Sequence, residues 1–465
     1  MKKINLILTT IFAAVLLVSC SKDNLEPTLA DTLPPGVYSL EDYRQYVDGS
    51  YRIMADYRYW GRNVIITGEV RADNVFANLN SGRFTLIGQM NYNPQTADVS
   101  EMMQYIYGTL ATANIVINST PEDLTTDADE LAEMRHIMGE AYAIRALAHF
   151  DLVRLFGQQH VSGQGGMNSL GVSYVKEFKG EERLIPRSTV AENLQDIYAD
   201  LNQAQSLMST SFNDNSKLRI TTHAVNAIKS RVATYFKDYE TARTASEAVI
   251  SNFNIVPAAQ LVQSWASQTP ASNSIFELAQ LPGENNGING IANIYRGPSY
   301  GDIQVIEAFP ADAEFGPNDV RNSPAMIGYD SFNRLRNLGK YPTMGSFTDN
   351  IRVFRIEEIV LNYAEALLDV NPALALTHLN SIPLNRDGTT YAVANIDNIL
   401  KERRKELAFE GFRFDDMARH GRDIRVIDAN VQNHGGPTYG SFNYALPIPQ
   451  REINANTNST QNFGY

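Results

Sequence analysis

Three glutamates, Glu402, Glu406 and Glu410, recur at four-residue spacing in the stretch Ile399 to Asp416 (ILKERRKELAFEGFRFDD). That spacing stacks them along one face of a helix, with Arg403, Arg404 and Arg413 close enough to pair. Two carboxylates roughly 5–9.5 Å apart are what acid–base hydrolysis of a glycosidic bond requires. Carboxylates on a single helix beside several arginines are instead expected to stay ionised in a salt-bridge network, so no catalytic residue is assigned. The seven histidines lie singly, with no His-Glu-x-x-His, and no cysteine pair is present, so no metal site or cofactor is expected. Gly165-Gly166 and Gly435-Gly436 are turn signals, because neither joins an apolar strand to a helix bearing Lys-Ser/Thr.

The one cysteine in 465 residues, Cys20, carries a different chemistry. Met1-Lys2-Lys3 is followed by an apolar run from Ile4 to Val18 and then by Ser19-Cys20. The run is too short to span a bilayer, which takes about 20 apolar residues. It has the layout of a secretory signal (1–19) ending in Leu17-Val18-Ser19-Cys20, a lipobox whose thiol becomes acylated. No disulfide can form within the chain. Residues 20–36, polar and carrying Pro27, Pro34 and Pro35, read as a flexible lipidated tether.

Net charge is −13, and removing residues 1–19 takes two lysines and no acid, leaving −15, which argues against a nucleic-acid partner. With 43% apolar residues the chain has ample material for a core. Helical period is clear in Leu131 to Phe156, in Thr222 to Phe236 with Tyr239 to Ile250, and in Arg355 to Asp369 with Ala373 to Asn380. The last two are helix–turn–helix units with small residues at their crossings (Ala224, Ala227, Ala233, Ala242 and Ala245; Ala364, Ala366, Ala373 and Ala375), the anatomy of tetratricopeptide-like hairpins. Further amphipathic segments fit Leu40 to Ala55, Val99 to Asn118, Ser188 to Met208 and Ile396 to Arg419. The expected fold is mostly α: one domain over 37–465, with a helical hairpin stack from 37–255 and 350–465. A Gly-, Asn- and Tyr-rich irregular insert over 256–349 caps it, and loops that long are usually functional.

Four segments then carry a resemblance. Glu140 to Phe150 (EAYAIRALAHF) resembles an EAxxLRAxxYF helix, Arg355 to Ala366 (RIEEIVLNYAEA) an RxxExxLxxAEA helix, and Glu402 to Asp416 an ERRxELxxEGxRxxD helix. The end, from Leu446-Pro447-Ile448-Pro449 to Gln461-Asn462-Phe463-Gly464-Tyr465, resembles an IPxxEI…QNPGY terminus, with Phe463 where Pro is usual. Together they resemble the SusD/RagB family, lipoprotein partners of TonB-dependent transporters in Bacteroidetes, and Ser21-Lys22-Asp23-Asn24 resembles the signal that sends such lipoproteins to the outer leaflet.

The resemblance implies a non-catalytic outer-membrane lipoprotein that binds oligosaccharide and hands it to a SusC-like channel. The RagB side of the family implies peptides as the alternative cargo. Sugar faces stack on aromatic rings while amides, acids and guanidinia take the hydroxyls. That mixture occurs in two places: Tyr57 to Arg62, including Tyr59 and Trp60, followed by Arg71, Asp73 and Asn74; and the insert, with Trp265, Asn285, Asn286, Tyr295, Arg296, Tyr300, Tyr329 and Phe332. The resemblance implies that such loops meet over the helical stack. Where many members carry a Trp four residues before Tyr107, this chain has Met103.

Overall fold

The computed structural model describes residues 36–178, 184–298 and 300–465. Cys20, the signal segment and nearly all of the tether lie outside these residues, while Val37–Tyr465 forms one compact unit. The fold is mostly helical, with sixteen α-helices among the described residues, numbered here α1 to α16, and six short strands.

Helix α1 (Leu40–Ala55) starts at Ser39, whose hydroxyl accepts from the Asp42 N–H, and buries Tyr43, Val47, Ser50, Tyr51 and Met54 along one face. Helices α2 (Asn63–Val70) and α3 (Thr85–Gly88) flank β1 (Val75–Ala77). The long helices follow: α4 (Ala97–Ile117), α5 (Ala128–Phe156) and α6 (Val190–Leu207), the last opened by a Thr189/Glu192 capping box. Helix α1 packs on α4, α4 on α5, and α5 on α6. Arg145 in the EAYAIRALAHF segment locks this trio, since it chelates Asp200 of α6 at 2.6 and 2.8 Å and donates to Asn114 of α4 at 2.9 Å.

Two hairpins complete the stack. Helices α7 (Thr222–Tyr235) and α8 (Tyr239–Ile250) turn at Lys237, which takes φ 61°, and Asp238 caps α8. Their alanines Ala224, Ala227, Ala233, Ala242 and Ala245 are buried. Helix α9 (Ala258–Ala266) leads into the irregular region, which also contains α10 (Ile291–Arg296) and α11 (Phe309–Asp312). The second hairpin joins α12 (Ile356–Ala366) to α13 (Pro372–Leu384), and α12 also packs on α8. Ala364, Ala366 and Ala375 are buried there, whereas Ala373 is exposed at the start of α13.

The region 256–349 is stitched to both ends of the stack by antiparallel pairs. Strand β1 pairs with β3 (Ile303–Val305) and β2 (Ser274–Leu278) with β6 (Ile351–Arg355), while β4 (Ile327–Tyr329) and β5 (Leu335–Asn337) form a hairpin inside the region. The carboxy-terminal motif is a latch around the end of α5: Asn462 donates to the carbonyls of Phe156 and Leu446 at 2.7 and 2.6 Å, and Gln158 accepts from the Phe463 N–H. Helix α16 (Gln450–Ala455) lies within that segment.

The expected helix from Ile396 to Arg419 is broken. Helix α14 (Ile396–Glu406) ends, residues 407–412 form a turn in which Phe409 and Gly411 take φ 71° and 89°, and α15 (Arg413–Arg419) follows. The turn lets backbone approach backbone where α2 crosses it, and there the Gly411 N–H donates to Glu69 at 2.9 Å.

Burial pushes the Glu69 carboxyl up to about 7, and burial does the same to Glu140, again to about 7. An acid whose folded pKa lies above its ordinary 4.5 binds its proton more tightly in the native state, so each costs stability as pH rises from 4.5 toward 7. Glu69→Gln is expected to flatten the decline in melting temperature between about pH 5 and 7.5. An unaltered slope in a calorimetric pH series would reject that assignment.

Candidate functional site

The glutamate stripe is enclosed. Glu402, Glu406 and Glu410 are all buried, and their main partners are not the arginines beside them in sequence but Arg321, Arg355, Arg386, Lys340 and Lys405. Arg403 instead chelates Asp416, while Arg404 and Arg413 converge on Asp73. These partners hold the Glu406 carboxyl well below the ordinary range: burial works to raise it, and the guanidinia of Arg386, Arg355 and Arg321 outweigh burial. A network of this kind fixes α14 against the irregular region and offers no open carboxylate.

Seven residues expected at a ligand surface are interior, and each has a reason. Tyr59 and Trp60 both donate to one Asp151 oxygen, at 2.7 and 2.9 Å, beneath α5. Arg71 lies 3.7 Å over the Phe414 ring and donates to the Thr67 carbonyl. Asp73 takes both prongs of Arg413 at 2.6 and 2.9 Å, and Asn74 accepts from Arg404 at 2.9 Å. Trp265 is covered by Arg352 at 4.0 Å, and Tyr295 donates to the Phe409 carbonyl at 3.0 Å. Arg296, half-buried, is spent on the carbonyls of Leu338 and Tyr341. Met103 is also buried, so the missing Trp alters the core.

What remains at the surface forms a rim. Asn78 donates to the Gly301 carbonyl at 2.8 Å, and Ser81 donates through both N–H and hydroxyl to Asp302, at 2.6 and 2.7 Å, which fixes the loop 78–84 against 300–302. On that frame the Arg83 guanidinium lies 3.8 Å from the ring of half-buried Tyr300. The β4–β5 hairpin is pinned to the same place by Arg336, fully buried, which bonds Asp330 at 3.0 Å and the Gly301 and Ile303 carbonyls at 2.8 and 3.0 Å. One guanidinium thus ties the hairpin to the residue after Tyr300. The hairpin presents Tyr329 and Phe332, 56% and 67% exposed, with the Tyr329 hydroxyl donating to Glu307. Two large exposed aromatic side chains within four residues make a small apolar patch, with the Arg334 guanidinium 4.8 Å from the Phe332 ring.

A second concavity, a cleft of about 750 Å³, lies elsewhere. Its walls are the outer face of α1 (Asp48, Gly49, Arg52) and the loop bearing Leu281 and Glu284, with Arg219 between. Asn285 and Asn286, candidates from the sequence, line it, whereas Asp48 and Arg52 escape notice because charges on the outward face of a helix read as solvating. Among the described residues no cluster of His, Cys, Asp or Glu is arranged to hold a metal, and no helix is long and apolar enough to cross a membrane.

Comparison with known proteins agrees with this architecture. Residues 41–234 match a family profile described as starch-binding and associating with the outer membrane, and residues 316–465 match the SusD family profile. A SusD-like protein of Formosa agariphila is 25% identical over 434 residues, covering 79% of this chain and 80% of its own. A SusD superfamily protein of Bacteroides thetaiotaomicron superposes with a TM-score of 0.82 at 27% identity, over 91% of this chain and 99% of that one. A laminarin binding SusD-like protein shares the fold at a TM-score of 0.72 and 20% identity, over 91% and 99% of the two chains. With two matched segments spanning most of Val37–Tyr465 and a shared fold from end to end, the chain belongs to the SusD/RagB family of carbohydrate-binding, outer-membrane-associated proteins.

Proposed function

We propose that this protein is a surface lipoprotein, anchored through Cys20, that captures oligosaccharide on the rim formed by Tyr300, Tyr329 and Phe332 and delivers it to a SusC-like TonB-dependent transporter. The observation that carries the reading is the exposure of Tyr329 and Phe332, beside half-buried Tyr300, on a frame tied together by Arg336 and Asp302. Carbohydrate C–H faces cover aromatic rings, and the Arg83 guanidinium, 3.8 Å from the Tyr300 ring, brings N–H groups that can donate to hydroxyl or ring oxygens. A stiff platform loses little entropy on binding, and open access keeps release easy, as hand-over to a transporter needs.

A glycan and peptide array on the lipid-free protein identifies the cargo class, and titration of the selected glycan then measures the rim. Tyr300→Ala and Tyr329→Ala are each expected to cost about 1–3 kcal/mol of affinity, by analogy with bases stacked on aromatic rings. Affinity unchanged in both variants, or an array that selects only peptides, rejects the rim as a sugar platform.

A further inference from the structure

The cleft beside α1 shares no residue with the rim. At about 750 Å³ it falls within the range of small-molecule sites, roughly 300–1,000 Å³. Its chemistry is that of paired charges. Arg219 pairs with Asp48 on α1 and with buried Glu140 at 3.2 Å. Arg52 on α1 reaches Glu284 on the opposite wall at 3.3 Å, so this pair spans the cleft. Both of its ends are exposed, and a surface pair of this kind contributes only about 0–1 kcal/mol, so it yields readily to a ligand.

The lining therefore alternates donors and acceptors while carrying little net charge. Tyr51, which borders the cleft, is turned inward and donates to Glu140 at 2.6 Å, so no aromatic face is offered. A strongly charged ligand gains little from such a surface. A polyol gains more, because vicinal hydroxyls both donate and accept, matching carboxylate and guanidinium edges. Leu281, 52% exposed at the lip, supplies the apolar contact that sugar C–H groups require.

We propose that this cleft is a second binding site, independent of the aromatic rim, that takes a neutral oligosaccharide through its hydroxyls, with Asp48, Arg52 and Glu284 as the polar contacts. The assignment goes beyond the rim reading and stands or falls separately from it.

Gly49 supplies the test. It lies on the cleft face of α1, and a Cβ there would meet nothing within 4 Å, so Gly49→Trp fills the cleft without disturbing the helix. Wild type, Gly49→Trp, Glu284→Gln and the Tyr300→Ala/Tyr329→Ala double variant are titrated calorimetrically with neutral hexasaccharides of α-1,4-glucose, β-1,3-glucose, β-1,4-xylose and β-1,4-mannose, and with tetralysine. Melting temperatures confirm that each variant is folded. At least one hexasaccharide is expected to bind wild type and to be weakened by about tenfold or more in Gly49→Trp, while the rim variant retains that event. The proposal is overturned if Gly49→Trp binds as wild type does, if no hexasaccharide binds, or if tetralysine alone is displaced by the tryptophan. Loss confined to the rim variant removes the cleft and leaves the rim reading standing; one event lost in Gly49→Trp beside another lost in the rim variant supports both sites.

Discussion

Glu406→Ala is expected to be among the most destabilising single substitutions in this chain, costing about 3–5 kcal/mol, the usual result of removing one partner from a buried ion network. Each Glu406 oxygen accepts twice: one from Arg355 at 2.6 Å and Arg386 at 2.8 Å, the other from Arg321 at 3.0 Å and Arg386 at 2.9 Å. Arg386 is fully buried, so no water can replace the lost acceptor without opening the core. Glu406→Gln is expected to be nearly as damaging, since its NH₂ would point at two donors. The surface pair Lys401–Glu314, 2.7 Å apart with Glu314 largely exposed, is the control: Lys401→Ala should cost no more than about 1 kcal/mol. Urea titration of the three variants reads the difference as a shift in midpoint. A Glu406→Ala midpoint no lower than that of Lys401→Ala would mean that the network contributes nothing once desolvation is included.

The same residues show how far the sequence could be read. Four-residue spacing correctly placed Glu402 and Glu406 on one helix, and a structural role for the stripe followed from the arginines nearby. The partners were misjudged, because an arginine three residues away on the same helix is visible in sequence, whereas Arg321, Arg355 and Arg386 arrive from other elements. The helical scaffold was legible for a related reason: period is a local property, and Leu40–Ala55 and Tyr239–Ile250 came out at their observed ends.

Which candidate residues face solvent was not legible in this way, because composition reports that Tyr59, Trp60 and Asp73 are amphipathic and cannot report which side of them faces water. Asp151, which accepts from both Tyr59 and Trp60, lies about ninety residues away in the chain, and that long-range pairing turns an apparent sugar platform into core. Tyr329 stays exposed and Tyr300 half-buried, because their neighbours, Asp330 and Gly301, are the groups that Arg336 draws inward.

Gly411→Ala is expected to rival the loss of Glu406. The residue holds φ 89°, a left-handed conformation that costs an L-residue roughly 1–2 kcal/mol. Its added Cβ would also sit 2.8 Å from the Ile65 Cα, a backbone atom that cannot swing aside, and relieving such overlap typically costs a further ~1–3 kcal/mol. The crossing is glycine on glycine, since a Cβ on Gly68 would lie 2.1 Å from the Gly411 carbonyl oxygen. Gly68→Ala has no left-handed backbone to penalise but the tighter overlap, so it isolates the steric part and should also melt well below wild type. Gly49→Ala, facing open cleft, gives the opposite sign, a gain of about 0.5–1 kcal/mol from helix propensity alone. The ranking Gly49→Ala above wild type, with Gly68→Ala and Gly411→Ala both well below it in melting temperature, follows from backbone geometry without reference to any ligand. Gly411→Ala melting at the wild-type temperature would show that the turn relaxes away from α2, and the Glu69 bond to its N–H should then break as well.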